Sequence, residues 1–116
     1  MSRPVRMTPS SPSSFPQQVT VLGATGSIGT NTLDVIARHP EQFRVFALSA
    51  ATQTDKMLEL CRRFVPRYAV MASEPHAQAL RGACKAHGLA VEVLSGEQGL
   101  VDVSSHPDVA AVMAAI

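Results

Sequence analysis

Seven residues, Gly23-Ala24-Thr25-Gly26-Ser27-Ile28-Gly29, carry three glycines at a spacing of three and join two runs of different periodicity. Ahead of them, Gln18-Val19-Thr20-Val21-Leu22 is short, β-branched and apolar, which predicts a buried strand. Behind them, Ser27 to Arg38 places Ile28, Thr32, Val35 and Ile36 at helical spacing and stops before Pro40. The chain must therefore pass from strand to helix through a very short turn. Gly23 ends the strand where the backbone bends sharply, Gly26 leaves the main chain uncovered, and Gly29 lets the helix come close to the sheet.

The alternation continues. Phe43 to Ser49 reads as a second strand, Asp55 to Phe64 as a helix capped by Thr54 and closed by Pro66, and Tyr68 to Met71 as a third strand. Ser73 can cap a helix with Ala77, Leu80 and Cys84 on one face and Gly88 as its stop. Ala90 to Leu94 predicts a fourth strand, Glu97 to Val103 a short helix, and Val109 to Ile116 a fifth strand. The connections are too long for hairpins and suit helical crossovers. The expected fold is α/β, a doubly wound, Rossmann-like parallel sheet with helices on both faces. The last run is apolar to its end, so the sheet is expected to be incomplete there and the chain to be the N-terminal piece of something longer.

Residues 1–17 differ from the rest. Pro4, Pro9, Pro12 and Pro16, with serines at 2, 10, 11, 13 and 14, leave little to bury, so this stretch reads as a disordered extension. Residues 18–116 read as one domain. With a net charge of +1, nothing drives electrostatic binding to nucleic acid or to an anionic membrane. No apolar run approaches the roughly 20 residues of a membrane-spanning helix. Cys61 and Cys84, far apart and outside any CxxC spacing, suit a reducing, cytoplasmic compartment rather than a disulfide scaffold.

The glycine turn points to a phosphate ligand. The first turn of the following helix offers free N–H groups and a partial positive charge, and Thr25 and Ser27 add hydroxyl donors. As the first strand-to-helix turn of a βαβ series, this pattern predicts a dinucleotide site, with Gly23, Gly26 and Gly29 counted among the cofactor-binding residues beside Thr25, Ser27 and Ile28. A ribose with a free 2′-hydroxyl is usually held by an acid about 20 residues past the glycines. Ser49-Ala50-Ala51-Thr52-Gln53-Thr54 holds none; Asp55 comes first and falls at a helix start. A neutral loop does not repel a 2′-phosphate, so NADP is favoured over NAD. Lys56 is the nearest cation.

Catalytic groups are not legible. Tyr68 has Ala72, not Lys, four residues on, and His39, His76, His87 and His106 show no ligand spacing. The residues taken alone also fit the cofactor domain of an NADP-linked semialdehyde dehydrogenase or epimerase, or a nucleotide-binding module without chemistry.

The combination of Gly23-Ala24-Thr25-Gly26-Ser27-Ile28-Gly29, Leu33-Asp34-Val35-Ile36, Phe43-Arg44-Val45, Pro66-Arg67-Tyr68-Ala69-Val70-Met71, Val93-Leu94-Ser95-Gly96 and Val112-Met113-Ala114-Ala115-Ile116 resembles the N-terminal region of 1-deoxy-D-xylulose 5-phosphate reductoisomerases. The resemblance spans residues 18–116. It implies an NADPH-dependent oxidoreductase of non-mevalonate isoprenoid biosynthesis. Such an enzyme converts 1-deoxy-D-xylulose 5-phosphate to 2-C-methyl-D-erythritol 4-phosphate, uses Mg²⁺ or Mn²⁺, and is a homodimer. It implies NADPH contacts at Thr25, Gly26, Ser27 and Ile28, and contacts to the 2′-phosphate side at Ala51, Thr52 and Gln53. Some members carry Gly-Lys-Asn at the latter place, so this chain lacks a cation there. The resemblance places the metal carboxylates, the substrate-phosphate site and the lid after this segment, so no catalytic or metal residue is assigned, and the segment alone is expected to be inactive.

Overall fold

The computed structural model describes residues 16–115. Most of the expected extension (residues 1–15) and the last residue of the expected fifth strand, Ile116, lie outside the described residues. The elements run β1 (Gln17–Leu22), α1 (Ser27–Ala37), β2 (Phe43–Ala50), α2 (Thr54–Phe64), β3 (Tyr68–Met71), α3 (Glu74–Ala86), β4 (Glu92–Ser95), α4 (Gly96–Ser104) and β5 (Ala111–Ala114). All pairings are parallel, in the order β4-β3-β2-β1-β5.

That order explains the layers. From β1 to β4 the chain steps in one direction, so right-handed crossovers put α1, α2 and α3 on the same face. It then returns past β1 to reach β5, and α4 falls on the opposite face. The strand order thus reverses between β1 and β5, and a crevice opens there at the carboxyl ends of the strands.

The two faces have separate cores. On the first, Val19, Val21, Leu48, Ala69 and Met71 meet Leu33, Met57, Cys61, Leu80 and Cys84 of the three helices. Each large side chain buried here contributes about 1.5–3 kcal/mol. On the second, Phe46, Ala47 and Val70 meet Val103 of α4. Phe46 is an extra residue in the β1–β2 ladder, because Val19 pairs with Val45 while Thr20 pairs with Ala47. The shift sends both Phe46 and Ala47 to the second face. Buried Thr20 donates its hydroxyl to the Val103 carbonyl at 2.8 Å, supplying a partner to the last turn of α4.

The structure corrects three details. The buried stripe of α1 is Gly29, Leu33 and Ile36, whereas Ile28 and Val35 face outward at 63% and 51% exposure. Helix α2 begins at Thr54 itself, with Gln53 in the capping position, and the Thr54 hydroxyl turns back to the Thr52 carbonyl. Ser73 does precede α3, but its hydroxyl meets His76 Nδ1 at 2.7 Å and caps no backbone amide.

Candidate functional site

The turn from β1 into α1 is held from one residue of β2. The Gly23 N–H donates to Ser49 Oγ at 3.1 Å, and the Ala24 N–H donates to the Ser49 carbonyl at 2.8 Å. Ser49 is the penultimate residue of β2 and is buried. Gly23 sits in the left-handed region at φ 74°, where a side chain is strained. Gly29 is buried beneath the turn. A Cβ there would collide with the Gly23 carbonyl oxygen and come within 2.8 Å of Ala24 Cα. Gly29 therefore sets how closely α1 approaches the turn, and its own surface faces the protein.

Gly26 occupies the capping position of α1 and has no side chain to satisfy the first amides. The first helical bond is Thr30 N–H to the Gly26 carbonyl, at 2.9 Å. The amides of Ser27 and Ile28 precede it, and both residues are exposed. The first turn of α1 contains no acid, whereas Asp55, Glu74 and Glu97 stand in the first turns of α2, α3 and α4. The positive end of α1 is thus left uncompensated, which favours an anion at the glycine turn.

Beside the turn, at the carboxyl ends of β1, β2 and β3, lies a cavity of about 210 Å³. Leu22, Gly23, Ser49, Ala51, Met71 and Leu100 are among its walls, and most of its lining is apolar. The structure therefore places Ala51 and Gly23 on the walls of one cavity. Thr52 and Gln53 follow in the exposed connection to α2. Of the expected contact residues, Gly23 and Ala51 line this cavity, Thr25 lines a second cleft between α1 and α2, Gly26, Ser27, Ile28, Thr52 and Gln53 are exposed, and Gly29 is buried.

Several residues that line this cavity, Ser49 and Leu100 among them, are not among those expected from sequence. Ser49 carries a legible signal: one hydroxyl in an apolar strand must find a partner when buried. Leu100 carries none, because its place depends on α4 crossing to the second face. Far from the turn, Arg67 pairs with Asp108 at 3.1 Å and lies over the Phe46 and Tyr68 rings, so it belongs to the opposite end of the sheet. The thiol of Cys61 is pushed up to about 12, first by burial and then by Cys84 beside it, which suits a core role. Among the described residues no three His, Cys, Asp or Glu side chains converge as metal ligands, and no helix is long and apolar enough to cross a membrane.

Comparison with known proteins bears on the family and the fold. The 1-deoxy-D-xylulose 5-phosphate reductoisomerase family profile matches residues 19–116. The enzyme of that name from Aromatoleum aromaticum is 59% identical over 100 residues, which are 86% of this chain and 25% of the relative. That from Pseudomonas fluorescens is 53% identical over 103 residues, covering 89% of this chain and 26% of the relative. The chain therefore spans about a quarter of the length of these relatives. Among solved structures, a DOX-P reductoisomerase in complex with NADPH, fosmidomycin and magnesium superimposes with a TM-score of 0.82 at 37% identity, over 86% of this chain and 24% of that one. The Zymomonas mobilis enzyme in complex with NADPH gives 0.73 at 35%, over 80% and 24%. The glycine turn, the five-stranded parallel order and these matches together place the chain in the 1-deoxy-D-xylulose 5-phosphate reductoisomerase family.

Proposed function

We propose that this chain forms the NADPH-binding part of a 1-deoxy-D-xylulose 5-phosphate reductoisomerase. The observation that carries this reading is the uncapped, acid-free start of α1, set behind a glycine turn that Ser49 holds in place. The diphosphate sits on the exposed Ser27 and Ile28 amides, with the Thr25 and Ser27 hydroxyls in reach. Gly26 carries no Cβ, so the backbone can approach the phosphate oxygens. The adenine enters the apolar cavity between Leu22 and Met71, and the adenosine ribose faces Ala51, Thr52 and Gln53. The absence of an acid in that connection leaves room for a 2′-phosphate without repulsion.

NADPH supplies a hydride when bound. The work of this segment is to fix the adenosine and diphosphate end, so that the nicotinamide is aimed across the β1–β5 crevice. In this reading the sugar phosphate, the divalent ion, the homodimer contact and the chemistry belong to a full-length cytoplasmic enzyme of isoprenoid biosynthesis. Calorimetric titration tests the proposal: NADPH binds the purified chain, and a Gly26→Val variant, whose side chain covers the phosphate approach, does not bind it. Equal NADPH affinity in that variant would reject the proposal.

A further inference from the structure

We infer that Lys56 is the residue that reads the 2′-phosphate in this chain, in place of a cation in the connection between β2 and α2. The inference rests on the proposed NADPH site. The connection itself, Ala51-Thr52-Gln53, is neutral and exposed. A second cleft, of about 430 Å³, runs between α1 and α2 directly beside the glycine turn. Thr25 of the turn and Lys56 of α2 line the same cleft, with Thr30, Glu59, Leu60 and Arg63. Lys56 is the third residue of α2, so it follows the connection within one helical turn.

Arg63, the other cation that lines the cleft, is already engaged. Arg63 pairs with Asp34 at 3.2 Å and lies over the Phe64 ring. Arg67 pairs with Asp108, and Arg81 with Glu74. Lys56 is exposed and forms no ion pair among the described residues. Its flexible stem and compact ammonium suit a phosphate that needs a point charge rather than a planar fork. Glu59 is the opposing charge, because it lines the cleft as well. A dianionic 2′-phosphate gains from Lys56 and loses from Glu59, whereas the 2′-hydroxyl of NADH is nearly indifferent to both.

Those opposite signs make the test. NADPH and NADH are titrated calorimetrically into the chain and into Lys56→Ala, Lys56→Arg and Glu59→Gln variants at low ionic strength. Lys56→Ala is expected to weaken NADPH about tenfold, the effect of losing one charge-assisted contact to phosphate, and to leave NADH unchanged. Lys56→Arg retains the preference, and Glu59→Gln strengthens NADPH alone. Added salt narrows the difference, because the cleft is open to solvent. An unchanged NADPH-to-NADH ratio in Lys56→Ala, or no preference in the unmodified chain, would overturn the assignment to Lys56 while leaving the dinucleotide site standing. Failure of both cofactors to bind the unmodified chain would overturn the underlying reading as well.

Discussion

The hydroxyl of Ser49 accepts a hydrogen bond from the Gly23 N–H at 3.1 Å, across 26 residues of sequence. It ties the turn proposed to meet the diphosphate to the strand end proposed to lead to the ribose. Replacing Ser49 by Ala leaves the Gly23 amide without that partner while the Ala24 bond to the residue 49 carbonyl remains. The expected cost is about 1–2 kcal/mol of stability, with weaker NADPH binding. Denaturant unfolding and titration measure the two effects. Unchanged values for both would mean that the bond does not support the turn.

Glycine positions of similar appearance have opposite expected outcomes. Gly29→Ala drives a methyl group into the Gly23 carbonyl and the Ala24 backbone, so α1 must move off the turn. A loss of about 1–3 kcal/mol is expected, together with loss of cofactor binding. Gly82, within α3, has ordinary helical backbone, and a methyl group added to it would meet no atom within 4 Å. Gly82→Ala is therefore expected to stabilise the fold by about 0.5–1 kcal/mol. Thermal unfolding of the two variants checks the pair, and destabilisation by Gly82→Ala would contradict this packing.

Glu74 gives the fold an acid-side dependence on pH. The Ser95 hydroxyl, donating to it at 2.7 Å, is the main cause that holds its carboxyl below the usual glutamate range, with Gln78 and Arg81 adding to the effect. Because the folded value is lowered, this contribution is complete above the ordinary glutamate pKa. It fades as pH falls through the folded value. Urea midpoints measured from neutral pH down through that range should fall less steeply for Glu74→Gln than for the unmodified chain. Parallel curves would show that Glu74 contributes nothing to the acid-side loss.

Cys61 and Cys84 face each other between α2 and α3 without a disulfide. Burial raises both thiols, Cys61 to about 12, so almost no thiolate exists near neutral pH. A thiol reagent should leave the native chain unmodified and label both cysteines in denaturant. Rapid labelling of the native chain would contradict the buried pair.

Much of this fold is legible in the sequence because local patterns and tertiary demands agree. The strand from Tyr68 to Met71 and the face Ala77–Leu80–Cys84 follow from sequence as they stand. The roles of Gly23 and Gly29 are legible for the same reason: a turn that short leaves few solutions. The face of α1 is not, because two stripes share its spacing. Ile28 and Val35 look like the core face, while the true face begins with Gly29, whose missing side chain carries no hydropathic signal. The strand order is hidden too. Alternation implies parallel pairing, but only the placement of α4 on the second face reveals that β5 joins β1. The cavity wall at Leu100 depends on that order, and the partner of the Ser49 hydroxyl depends on β1 lying beside β2.

The glycine turn and the end of β2 are proposed to receive NADPH together, and amide chemical-shift mapping of the isotopically labelled chain during NADPH titration tests this most directly. The predicted result is that the largest saturating shifts fall on Gly26, Ser27 and Ile28, and on Ala51, Thr52 and Gln53, with β4 and the last turn of α3 unaffected. Shifts centred instead on Arg44, Arg67 and Asp108, at the opposite end of the sheet, would contradict it.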